Sequence, residues 1–90
     1  MVNFRLYAWV VRGKQRLAVL KALSHPMTPS QVHKKSKQFN EKISLNNASD
    51  ALRSLVKQNL AICLNSDARV GRVYQLTEAG EEIRKELMKE

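Results

Sequence analysis

Asn46, Asn47, Ser49, Asp50, Arg53 and Lys57 fall within one short stretch, SLNNASDALRSLVK, from Ser44 to Lys57. Amides, a hydroxyl and cations are the groups that hydrogen-bond base edges and neutralise phosphates. A carboxylate among them can accept from the amino group of cytosine or pair with a nearby cation, as Asp50 can with Arg53 three residues on. The chemistry on offer is recognition. No glycine-rich phosphate loop, paired-carboxylate pocket or nucleophile–histidine–acid set accompanies these residues, so the chain does not read as an enzyme.

The element that must carry them is a helix. Leu45, Ala48, Leu52 and Leu55 recur at i, i+3, i+7 and i+10, one face of an α-helix, and Ser44 stands at its N-cap. An apolar back is thereby fixed to a core and a polar front is offered outward. Before it, Thr28-Pro29-Ser30-Gln31 starts another helix, with threonine as cap, proline at the first position and glutamine completing a capping box. This helix runs to about Ser36, with Val32 inward and His33, Lys34, Lys35 and Lys37 outward, His33 as a solvated side chain. Residues 37–42 connect the two helices, Phe39 pinning the connection to the core.

Lys14 to Ser24 reads as a further helix with Leu17, Leu20 and Leu23 inward, ended by Ser24-His25-Pro26 because a residue before proline leaves the helical region. Residues 1–12 form an apolar N-terminal segment with Phe4, Leu6, Tyr7, Trp9, Val10 and Val11. They are compatible with a strand or a short helix, packed either on the domain's own core or on a second copy. Beyond Lys57, Asn59 can take the left-handed conformation that ends a helix. Leu60, Ile62 and Leu64 then alternate with Ala61 and Cys63, the period of a half-buried strand. Asn65 to Gly71 is turn-rich and Arg72 to Leu76 returns, giving a β-hairpin with Arg69 near its tip. Thr77 caps a last helix, Glu78 to Glu90, with Ala79, Ile83, Leu87 and Met88 as its buried stripe.

Ninety residues make one domain, 13–90, mainly α with a small β-hairpin (α+β), behind the segment 1–12. Charge is the strongest global feature. Sixteen Lys and Arg against eight Asp and Glu give +8; the residues from Glu78 onward carry net −2, so those before it carry net +10. Such a body suits a polyanion, nucleic acid first and an anionic membrane surface second, although basic surfaces also serve solubility alone. Cys63 is the single cysteine, which excludes a disulfide framework and a cysteine-rich zinc site and fits a reducing cytoplasm. No secretory signal is visible, and the longest uncharged apolar run, Leu6 to Val11, is far below the ~20 residues of a membrane helix.

Taken together, RLAVLKAL, TPSQV, SLNNASDALRSLVKQNL and GRVYQLTEAGEEI resemble the winged helix-turn-helix domains of MarR-type and ArsR-type transcription regulators of bacteria and archaea. The resemblance spans Lys14 to Glu90 and includes the aromatic-x-Leu-Thr-x-x-Gly segment formed by Tyr74, Leu76, Thr77 and Gly80. It implies that Ser44 to Lys57 enters the major groove of double-stranded DNA. Asn46, Asn47 and Ser49 would face bases with Asp50 and Arg53 beside them, Arg53 and Lys57 lying toward the backbone. It further implies that Ser30, Lys34, Lys35 and Ser44 grip phosphate. Arg69 and Arg72, in the wing 65–72, would reach along the adjacent groove. A homodimer through the N-terminal segment, the C-terminal helix or both is implied as well, and with it a palindromic site.

Two departures stand out. The connection 37–42 is about five residues longer than the tight turn usual in this motif. The clustered Cys, His and acids of ArsR-type metal sites are missing, so neither metal nor cofactor is expected. The competing reading is a winged-helix module that docks on protein or RNA inside a larger assembly; such a module would expose apolar residues where this helix exposes Asn, Ser and Arg.

Overall fold

Four polar side chains start four of the five helices among the described residues, 2–89. Met1 and Glu90, included in the two terminal elements expected from the sequence, lie outside them. In the computed structural model, α1 spans Phe4–Arg12, α2 Lys14–Ala22, α3 Pro29–Ser36, α4 Leu45–Lys57 and α5 Glu78–Leu87, with strands β1 at Ala61–Cys63 and β2 at Tyr74–Leu76. Asn3, Thr28, Ser44 and Thr77 each accept a backbone N–H of the first turn of α1, α3, α4 and α5 respectively. Thr28 with Gln31 and Ser44 with Asn47 form reciprocal capping boxes. The N-terminal segment is therefore a helix, and only Gly13 separates it from α2.

α2 lies at the centre, against α1, α3, α4 and α5. Its Ala18, Val19 and Leu20 are buried with Val10, Val32, Ala48, Ala51, Leu52, Leu55, Leu60 and Ile83. α1 is thus anchored on this domain's core through Val10, leaving Phe4 and Val11 exposed. Arg16 fastens α1 to α2: its guanidinium sits 4.1 Å from the Trp9 ring centroid while Nε donates to the Trp9 carbonyl at 3.0 Å. At the other end of α2, Arg84 Nε of α5 donates to the Lys21 carbonyl at 3.0 Å, satisfying one of the orphan acceptors of a helix end.

β1 and β2 pair antiparallel in the register Ala61↔Leu76, Ile62↔Gln75 and Cys63↔Tyr74. Met27 adds a third, single-residue rung: its N–H donates to the Tyr74 carbonyl at 2.9 Å and its carbonyl accepts the Tyr74 N–H at 2.8 Å. Asn59 turns the chain from α4 into β1 with φ of 60°, in the left-handed region that asparagine tolerates.

Several expectations need correction. Leu45 is 45% exposed, so the inward stripe of α4 is Ala48, Ala51, Leu52 and Leu55. In β1 the small residues Ala61 and Cys63 face inward, and Ile62 and Leu64 face solvent. The reason is the register with β2, which sets Ala61 opposite Leu76 and Cys63 opposite Tyr74, both buried, so the cross-strand pairs share the inward face. In α5 Ala79 is exposed and Gly80 takes its inward place beside Ile83, while Met88 is exposed as well. Phe39 lies outside the core, its ring 5.6 Å from the Lys21 ammonium. The long connection is held instead by backbone turns and by His33, whose Nε2–H donates to the Ile43 carbonyl at 2.9 Å. His33 is consequently a brace between α3 and the start of α4, in place of the solvated side chain expected.

Candidate nucleic-acid interface

On α4 the exposed residues Asn46, Asp50, Arg53 and Lys57 follow one another at i, i+4, i+7 and i+11, a straight stripe opposite the buried one. Ser49 borders this stripe and is half-buried. Asn47 does not belong to it. Its Oδ1 accepts the Ser44 N–H at 3.3 Å, turning the side chain back onto the helix start, and Ser44 Oγ in turn accepts the Asn47 N–H at 3.0 Å. Asp50 and Arg53 are ion-paired on the surface.

The start of α3 and the hairpin loop flank this stripe. Thr28, Pro29 and Ser30 from α3, Asn46, Ser49 and Arg53 from α4, and Arg69 to Arg72 from the loop line one cleft of about 510 Å³. On the other side of Arg53 a second cleft of about 620 Å³ lies between α4 and the sheet, lined by Lys57, Cys63, Arg72 and Tyr74. Arg53 and Arg72 border both clefts. The loop thus folds toward the front of α4 and its cations converge with those of the helix.

That loop is built by Asn65. Its Oδ1 accepts the Val73 N–H at 2.7 Å, its Nδ2 donates to the Gly71 carbonyl at 3.1 Å, and its own carbonyl accepts the Ala68 N–H at 2.9 Å. Gly71, with φ of 71°, allows the reversal, and Arg72 Nε closes it on the Ala68 carbonyl at 2.7 Å. Arg69 and Val70 are left projecting into solvent. Sequence reasoning places Asn65 at the head of the turn without singling out its side chain; an asparagine at a strand end followed by Ser66-Asp67 is the signal for that role, since asparagine side chains organise turns.

The lysines of α3 divide. Lys34 is exposed on the same row as Ser30, and Lys37 continues that row three residues further, an addition to the residues selected from sequence. Lys35 points elsewhere: its Nζ donates to Ser24 Oγ at 2.7 Å, tying α3 to the end of α2. It therefore stands apart from the row of Ser30 and Lys34, with which the family resemblance groups it as a phosphate contact. Ser44 spends its hydroxyl on the cap.

Among the described residues no group of His, Cys, Asp and Glu could hold a metal ion, and no helix is long and apolar enough to cross a membrane. No protein family, no curated protein and no solved structure matches the chain.

Proposed function

We propose that this chain is a winged helix-turn-helix transcription regulator of the MarR/ArsR type that binds double-stranded DNA in the cytoplasm. In this reading α3 and α4 are the helix-turn-helix pair, α4 lies in the major groove, and the loop 65–72 is the wing. One observation carries the reading: the start of α3, the polar stripe of α4 and the arginines of the loop line a common cleft. Groups from three elements with this chemistry suit a sugar-phosphate strand passing between a helix in one groove and a loop at the next. The Met27 bridge to Tyr74 is further support, because it ties the hairpin to the segment that joins α2 to α3.

The base-reading role falls first to Asn46, which is exposed and whose amide carries no hydrogen bond to the cap. Asn46→Ala is expected to cost about 1–3 kcal/mol of discrimination between the preferred site and random duplex. Asn47→Ala is expected instead to lower stability by about 0.5–1 kcal/mol through loss of the capping box, with little change in discrimination. Titration of both variants against specific and random duplexes, with thermal melts alongside, separates the two roles. Equal loss on both duplexes for Asn46→Ala would contradict the assignment.

A two-fold dimer fits the same reading. α1 keeps Phe4 and Val11 exposed beside the cations Arg5 and Arg12, while α5 carries Glu78, Glu81, Glu82 and Glu86 and exposes Met88. A basic apolar helix and an acidic one complement each other between copies, and two α4 helices then meet a palindromic site. The protein-docking alternative draws on Ile62, Leu64 and Val70, which are exposed on the hairpin. A partner held there would bind with little dependence on salt.

A further inference from the structure

Asp50 is one of only three acids among residues 1–77, and the structure sets it on the stripe otherwise formed by Asn46, Arg53 and Lys57. A carboxylate on a face that meets a polyanion repels the phosphates. Its pairing with Arg53 does not explain its presence through stability, because both side chains are about two-thirds exposed, at 66% and 69%, and exposed pairs at this spacing contribute little. What the pair does give is a shared position. Arg53 Nη2 donates to Asp50 Oδ1, so one guanidinium nitrogen is engaged along the helix, and Arg53 borders both clefts.

From this we infer that Asp50 and Arg53 act together as one specificity-determining unit for a guanine followed by an amino-bearing base. The inference rests on the DNA-binding reading. Arg53 donates to O6 and N7 of guanine, the bidentate contact that a planar guanidinium makes best. Asp50 orients it with one oxygen and accepts with the other from cytosine N4 or adenine N6 on the neighbouring pair. The cost in phosphate attraction is exchanged for discrimination.

The experiment compares the wild-type chain with Asp50→Ala and Arg53→Lys on the best-bound duplex and on its single-base variants, at two salt concentrations. Both sites are exposed on a helix, and circular dichroism checks that the variants fold. Asp50→Ala is expected to bind random duplex more tightly than wild type and to lose about 10-fold or more of the preference at one or two adjacent positions, a guanine among them. Arg53→Lys keeps the charge and is expected to lose the guanine preference to a similar extent without tighter random binding. Unchanged preference at every position in either variant would overturn the inference while leaving DNA binding intact. A wild-type chain that binds all duplexes alike, or none, would overturn the reading beneath it.

Discussion

Gly80→Ala is expected to destabilise the domain by about 3 kcal/mol, the upper range for overpacking a tight interior. Gly80 lies in the first turn of α5, where the helix passes over the entry to β1. A Cβ there would stand 2.1 Å from the Leu60 carbonyl oxygen and 3.2 Å from Leu76 Cβ. Backbone cannot swing aside as a flexible side chain can. The Leu60 carbonyl accepts the Thr77 N–H at 3.0 Å, and the Leu60 N–H donates to the Leu55 carbonyl at 2.9 Å. Thr77 also donates its hydroxyl to the Asn59 carbonyl at 2.7 Å, so relieving the clash means shifting α5 away from α4 and the sheet together. Alanine's better helix propensity, about 1 kcal/mol, does not offset this. For a domain of this size the loss corresponds to a fall in Tm of about 12 °C or more. A thermal melt within a few degrees of wild type would show that α5 moves freely.

The second large effect is on salt. Lys34, Lys37, Lys57, Arg69 and Arg72 are exposed on or beside the proposed interface, five cations per chain besides the Asp50-paired Arg53. If all five neutralise phosphates, the logarithm of the binding constant falls with the logarithm of salt at a slope of about −4.5 per chain. Between 50 and 200 mM salt the affinity then drops roughly 500-fold per chain engaged. Replacing Arg69 and Arg72 together by alanine is expected to flatten the slope by about 2, since two phosphate contacts are removed. Anisotropy titrations on a random duplex measure both slopes. A flat dependence for the wild type would favour docking on protein through Ile62, Leu64 and Val70.

The parts of this fold that local chemistry determines were legible in the chain. Thr28, Ser44 and Thr77 announce helix starts because a cap acts within three residues, and Asn59 announces a reversal because few side chains tolerate positive φ. The rung at Met27 was not legible: a single paired residue between Pro26 and Thr28 has no alternation to display. Nor was the phase of β1, since Leu60-Ala61-Ile62-Cys63-Leu64 is apolar at every position. The register with β2 settles that phase, since Ala61 and Cys63 stand opposite the buried Leu76 and Tyr74.

The site divides along the same line. The stripe through Asn46, Asp50, Arg53 and Lys57 follows from helical spacing alone. Asn47 and Lys35 looked equivalent to its members, but one is drawn to the Ser44 N–H and the other to Ser24 Oγ. Periodicity places a side chain on a face and is silent about a partner on another element. His33 shows the same thing, its bond to the Ile43 carbonyl holding the unusually long connection that sets the angle of α4.

The central claim is that α3, α4 and the loop 65–72 form one surface for double-stranded DNA with sequence preference. Selection of bound duplexes from a random pool, run at low and at physiological salt, tests it most directly. The account predicts one enriched site, palindromic for a two-fold dimer, with total binding lower at the higher salt and enrichment retained. A pool that stays unenriched at both salt concentrations would contradict it.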